Sequence, residues 1–307
     1  MIEPLEPGAH RHRWGLGSGR GSAKVLAATG LAVISLALAA TLSGCSALHT
    51  RTSAPRFPAT GASPSASPST SPSRRPQAVV TSVNAYPPPS VDCNVVKCLA
   101  LTFDDGPGPQ TSGPLLDELE KLGVHATFFT IGSKISAAPG VLPRARDDGD
   151  VLGDHTWDHP DLAKQTPDHV AAELTMARDA IASDTGVLPY LVRPPYGSWD
   201  DTVRTAAHDM GAAVILWNVD SHDWQTRDTA RTVSSVLTQA KGGSIVLMHD
   251  TYPSTVAAVP IIVDQLRAQG YTLVTVPELL GGHPQPGWVY YSQHDMIHPD
   301  STQQVSQ

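Results

Sequence analysis

Asp104 and Asp105 stand side by side in Thr102-Phe103-Asp104-Asp105-Gly106-Pro107, where an apolar run stops. Fifty residues on, His155-Thr156-Trp157-Asp158-His159 places two imidazoles four residues apart. One carboxylate and two imidazoles form a ligand set for a divalent cation, and the second carboxylate is left beside it. Three protein ligands, an open position for water and a base within reach are what metal-assisted hydrolysis needs. Adjacent side chains in extended or turning backbone point different ways, so one Asp can bind the cation while the other faces a water. The histidine spacing is that of one helical turn, which lets both rings face one point. Asp158 between them offers an acceptor that could orient a ligand imidazole. Taken singly, these pieces read as an ordinary turn and a pair of surface histidines.

Three further runs carry polar groups after apolar stretches. In Arg193-Pro194-Pro195-Tyr196-Gly197 the prolines stiffen the loop and leave the Tyr196 N–H free to act as an oxyanion donor, while Arg193 suits a carboxylate. In Asp220-Ser221-His222-Asp223-Trp224 and Leu247-Met248-His249-Asp250, a carboxylate bonded to His249 would raise its pKa and make it a general acid. Trp224 and Leu247 offer an apolar wall suited to a methyl group.

Something must hold these runs together. Apolar stretches at 99–103, 126–131, 151–153, 190–193, 213–218, 244–248 and 272–274 read as seven buried strands. Helical patterns lie between them at 112–122, 140–148, 168–185, 200–210, 226–240 and 256–268, several ending at Gly. Such alternation predicts a parallel sheet covered on both faces. Seven units at this length suit a closed or nearly closed βα barrel, an α/β fold. The polar runs all follow strands, and the carboxyl ends of strands are where barrel enzymes collect their catalytic groups.

The 307 residues divide by composition. Residues 1–45 read as an export signal: a basic start, an apolar run at 25–42, and Leu42-Ser43-Gly44-Cys45, similar to a bacterial lipoprotein cleavage site with Cys45 as the lipidated residue. An uncleaved membrane anchor is the alternative, since about 18 apolar residues can span a bilayer. Residues 46–77 hold Ser, Pro, Thr, Ala and four arginines with no acidic side chain, and 46–90 is read as a disordered linker. A globular domain at 91–285 and a polar tail at 286–307 follow, with disorder expected beyond Tyr291. Eight basic and two acidic residues in the first 77 leave the rest of the chain at −14, given the total of −8. That balance disfavours nucleic acid and other polyanions. Cys93 and Cys98, in an exported chain, are expected to form a disulfide.

The series Thr-Phe-Asp-Asp-Gly-Pro, His-Thr-x-x-His, Arg-Pro-Pro-Tyr-Gly, Asp-x-x-Asp-Trp and Leu-x-His-Asp resembles the five motifs of the polysaccharide deacetylases, carbohydrate esterase family four, also called the NodB homology domain. The resemblance covers roughly residues 95–280 and implies a distorted (β/α)7 TIM-like barrel. It implies Asp104 as catalytic base, Asp105, His155 and His159 as metal ligands, and His249 as catalytic acid. By the same resemblance Arg193 positions Asp104, Asp220 tunes His249, the Tyr196 amide stabilises the oxyanion, and Trp224 and Leu247 line an acetyl pocket. The metal is expected to be zinc or another divalent transition metal such as cobalt. The expected activity is N-deacetylation of N-acetylglucosamine units, first of all in peptidoglycan, with chitooligosaccharides and acetylated xylan as alternatives and a non-catalytic glycan-binding module as the remote one. The expected place is the outer face of the cell membrane, reached through a lipid tether. The expected partner is a cell-wall or other extracellular polysaccharide, met by a monomer.

Overall fold

The computed structural model describes residues 90–299. The export signal, Cys45 and nearly all of the linker lie outside the described residues. No helix among the described residues is long and apolar enough to cross a membrane.

Ten strands form one sheet: β1 (Cys98–Gly106), β2 (Thr127–Thr130), β3 (Val151–Asp154), β4 (Leu191–Val192), β5 (Ala213–Ile215), β6 (Val219–Asp220), β7 (Ser244–His249), β8 (Thr272–Val274), β9 (Val289–Tyr290) and β10 (Met296–Ile297). Among the described residues eight α-helices connect or flank them: α1 (Ser112–Leu122), α2 (Val141–Asp148), α3 (Pro167–Thr185), α4 (Asp201–Asp209), α5 (Asp223–Thr226), α6 (Thr229–Gln239), α7 (Pro253–Ala268) and α8 (Val276–Leu279). The strand order is β10-β9-β5-β4-β3-β2-β1-β7-β6, parallel throughout except for the antiparallel β9–β10 pair. Three residues join β5 to β6, which lie far apart in that order, so the sheet must curl until the two approach. The result is the nearly closed barrel that the seven-strand reading predicts, distorted as the family resemblance implies. The seventh predicted strand, β8, pairs with the start of β1 at Cys98, Leu99 and Ala100.

Burial explains the strands. Every residue of β2, β3 and β5 is buried, as expected of strands covered on both faces. Outside β1, Leu115, Leu116 and Leu119 of α1 and Val259, Ile262 and Leu266 of α7 recur at helical spacing and seal the barrel wall. Phe103 and Phe128 stack across β1 and β2 with ring centroids 5.3 Å apart. Cys93 and Cys98 are joined by a disulfide just ahead of β1.

Three elements differ from expectation. The stretch at 213–218 is not one strand: β5 stops at Ile215 because the Ile215 and Leu216 carbonyls accept hydrogen bonds from Arg193, and β6 begins only at Val219. The helix expected at 226–240 starts later, as α6 at Thr229, and a separate short helix, α5, precedes it. Arg227 turns left-handed (φ 47°), and Asp228 restarts the chain by capping α6 through the Arg231 N–H. The tail is the largest correction. β9 extends the sheet beside β5, and beyond Tyr291, where disorder was expected, β10 returns against it.

Candidate metal centre and catalytic pocket

β1 delivers both aspartates. Its register against β2 shifts between Phe103 and Gly106, and Asp105 adopts φ 70°. An irregularity of this kind re-aims a side chain, so Asp104 and Asp105 leave the strand in different directions. Gly106 lets the Asp250 carboxylate pack against this turn, since a Cβ there would collide with it. Behind that contact Ser112 donates to Asp250 Oδ2 and accepts the Gly108 N–H, while the Asp250 N–H reaches the Asp104 carbonyl. These bonds tie the loop to β7. Burial pushes the Asp250 carboxyl up to about 7.

Arg193, fully buried after β4, fixes Asp104. One of its terminal nitrogens donates to Asp104 Oδ1 at 2.7 Å and to Thr102 Oγ1 at 2.8 Å. Its other nitrogens hold the Ile215 and Leu216 carbonyls, and its plane lies 4.0 Å over the Phe129 ring. Asp104 Oδ2 stays free of this clamp, 3.7 Å from His155 Nε2.

The histidine pair sits in a loop rather than on a helix, contrary to the spacing argument. Thr156 and His159 take φ 69° and 70°. Buried Glu173 of α3 accepts the N–H groups of Trp157 and Asp158 through one carboxylate oxygen, and Asp154 accepts that of Thr156. Those bonds replace a helical ladder. His155 Nδ1 lies 2.6 Å from the Arg193 carbonyl. A carbonyl only accepts, so Nδ1 carries the proton and Nε2 presents its lone pair. The acceptor that orients His155 is thus the Arg193 backbone rather than Asp158. His155 Nε2 and His159 Nε2 stand 3.5 Å and 3.3 Å from Asp105 Oδ1.

The ligand atoms of Asp105, His155 and His159 all lie within 4.8 Å of one another, and Asp105 Oδ1 is buried with no hydrogen-bond partner. Burial opposes its charge, yet the imidazoles of His155, His249 and His159 hold its carboxyl well below the usual carboxylate range. Burial and the neighbouring His155 lower the His159 pKa, which favours the neutral ring that ligates. An orphaned carboxylate oxygen facing two imidazole nitrogens fits a divalent transition metal.

His249 ends β7 in direct register with Asp104 across the β1–β7 pair. Its carboxylate partner is Asp223, not Asp220. Asp223 Oδ1 takes His249 Nδ1 and the Trp224 N–H, each at 2.8 Å; Oδ2 takes the His249 N–H at 2.8 Å and the Thr255 hydroxyl at 2.7 Å. Asp220 instead caps the His222 N–H at 2.8 Å and faces that ring at 3.3 Å. The left-handed turn at His222 starts α5 and swings Asp223 inward. Burial works against the His249 charge, but the Asp223 bond and charge prevail, aided by Asp104 and Asp105, and its pKa is pushed up to about 9.

Tyr196 follows the two prolines with φ 62°, and its ring meets the edge of His159 at 4.8 Å. Trp224 stands half-exposed on α5, and Leu247 is buried in β7. Of the ten catalytic, metal and substrate residues singled out beforehand, the structure gathers Asp104, Asp105, His155, His159, Arg193, Tyr196 and His249 at one mouth. Asp223, Glu173, Ser112 and Asp250 are the supports that sequence reasoning left without a role. Asp223 and Asp250 lay inside the quoted motifs. Nothing local marked Glu173 or Ser112.

The polysaccharide deacetylase family model matches residues 92–215. The chain is 38% identical over 224 residues to the peptidoglycan-N-acetylglucosamine deacetylase PgdA of Listeria monocytogenes, covering 71% of this chain and 47% of that one. It is 35% identical over 203 residues to a chitooligosaccharide deacetylase of Bradyrhizobium sp., covering 61% of this chain and 93% of that one. The solved structure of T48 deacetylase with substrate superposes with a TM-score of 0.63 at 42% identity, over 66% of this chain and all of that one. The chain spans about half the length of the first curated relatives it matches.

Proposed function

The chain belongs to the polysaccharide deacetylase family, and from that premise we propose that it removes acetyl groups from N-acetylglucosamine units of peptidoglycan in a zinc-dependent reaction. One observation carries the reading: a carboxylate clamped by a buried arginine lies between a three-residue cation site and a charged histidine on the adjacent strand. When bound, a divalent cation supplies a Lewis acid for an acyl oxygen and lowers the pKa of a nearby water. Asp104, held in place by Arg193, takes the proton from the attacking water. His249, kept charged by Asp223, gives a proton to the departing nitrogen as the C–N bond breaks. The Tyr196 N–H offers a donor to the oxygen that gains charge. Acetate and a free amine leave.

Peptidoglycan is favoured over neutral glycans by the PgdA relative, and by the export signal and tether read at residues 1–45, which would hold the domain at the outer membrane face. Chitooligosaccharide is the second substrate, on the strength of the Bradyrhizobium relative. Acetate release from peptidoglycan, chitooligosaccharides and acetylxylan, assayed side by side with added zinc or cobalt, tests the reading. Release from peptidoglycan at the highest kcat/KM is expected. No acetate from any of the three, with zinc bound, would refute deacetylation.

A further inference from the structure

Residues 90–299 carry 13 Lys and Arg against 26 Asp and Glu, a domain that should repel an anionic polymer. Seven of those cations are spent in ion pairs among the described residues: Lys121, Arg144, Arg146, Lys164, Arg178, Arg193 and Arg204. Two that lie in no ion pair stand at the catalytic mouth. Lys134 donates to the Asp105 carbonyl at 3.0 Å. It sits in a short helical turn whose Gly132 and Ser133 N–H groups bond the Thr156 and Trp157 carbonyls of the histidine loop, so its position is fixed to the metal site. Arg227 lies 5.0 Å over the Tyr252 ring, and that ring is 6.0 Å from His249.

Lys134 also lines a cleft of about 320 Å³ together with Pro107, Pro109, Thr111, Thr251 and Pro253. That volume is in the range of small-ligand sites. The prolines and threonines offer the apolar and hydroxyl contacts that suit a sugar ring, and Pro107 in the lining follows directly on the strand that carries Asp104 and Asp105. Thr251 and Pro253 line the cleft on either side of Tyr252 in the chain, and Arg227, stacked on that ring, stands outside the lining. Cations kept out of ion pairs beside a neutral-walled cleft, in a domain otherwise negative, are placed to receive negative charge.

We propose that this cleft is a subsite for a carboxylate-bearing sugar next to the one being deacetylated, with Lys134 as the carboxylate's cation and Arg227 as an outer one. The proposal rests on the deacetylase reading and narrows it: the preferred glycan carries free carboxylates, as where N-acetylmuramic acid without its stem peptide alternates with N-acetylglucosamine, and uncharged chitin fills the cleft less well. An anionic substituent is drawn in over roughly a Debye length, about 8 Å at physiological salt.

The test uses the full chain with zinc and two matched oligosaccharides of alternating N-acetylglucosamine and N-acetylmuramic acid, one with free carboxylates and one with them amidated. The wild type should favour the free acid by about two- to fivefold in kcat/KM, the range of an exposed ion pair, with the difference in KM and shrinking in 0.5 M salt, on the order of the screening expected there. Lys134→Gln should bring the ratio to about one, Lys134→Arg should keep it, and Arg227→Gln should lower it partway. Because Lys134 also touches the Asp105 carbonyl, the readout is the ratio of two substrates on one protein, in which any change at the catalytic centre cancels. Equal rates on the two oligosaccharides with the wild type overturn the subsite and leave deacetylation standing. A ratio unmoved by Lys134→Gln overturns it as well. Absence of acetate from both oligosaccharides is a failure of the deacetylase reading itself, and so is told apart.

Discussion

Asp223→Asn removes the charge that holds His249 in its acid form while leaving a side chain of the same shape. With its pKa at about 9, His249 is about 97% protonated at pH 7.5. Without the Asp223 carboxylate, burial is opposed only by the Asp104 and Asp105 charges, and the pKa is expected to fall toward its ordinary 6.5. At 6.5 only about a tenth of the enzyme holds the proton at pH 7.5, so a rate that depends on it drops about tenfold there and hardly at all near pH 5.5. The basic limb of the kcat/KM profile therefore moves from near pH 9 to below pH 7. Asp223 accepts four hydrogen bonds, two on each oxygen. An amide cannot replace the second oxygen, and one misplaced donor there costs about 1–3 kcal/mol. Thermal unfolding reads that loss separately, and it scales the profile without shifting its limb. Asp220→Asn, at the residue the motif resemblance had favoured, leaves the limb in place. Wild-type and variant proteins are compared at one zinc concentration. If Asp223→Asn keeps the wild-type limb, or Asp220→Asn is the one that moves it, the assignment of the acid's partner is wrong.

Asp104→Asn should lower kcat by about 10²–10⁴ while zinc affinity by calorimetry stays near wild type, whereas Asp105→Ala should lose the zinc. Zinc at about 100 times its Kd should stabilise the fold by about 2.7 kcal/mol, read as a rise in Tm, and His159→Ala should remove most of that rise. Asp250 is held above its ordinary 3.8, so the stability it contributes is complete below that value and lost as pH rises through about 7. Asp250→Asn cannot ionise, and its Tm relative to wild type should climb between pH 5 and 8.

The repeating part of this architecture was legible in the sequence because burial on both faces writes itself as continuous apolar runs. β1, β3 and β7 sit where those runs predicted, with Asp104, His155 and His249 at or just past their carboxyl ends. What failed depended on distant partners. The break between β5 and β6 needs Arg193, some twenty residues upstream, to claim two carbonyls. The histidine loop needs Glu173 to take two N–H groups that a helix would have used internally. The choice between Asp220 and Asp223 turns on one left-handed residue, His222, in a stretch where both acids fit the same motif. β9 and β10 are two residues each, too short for any periodicity to show.

β9 has a consequence for how this domain can be cut. The N–H groups of Val214 and Leu216 donate to the carbonyls of Trp288 and Tyr290. A version ending at residue 285 would strip those partners away and leave a bare strand edge, available to a second molecule. Unpaired edges of this kind invite association. Such a shortened protein should therefore elute from a sizing column as dimers or larger species even where its catalytic mouth is intact, and the covering strand counts as part of the minimal soluble unit.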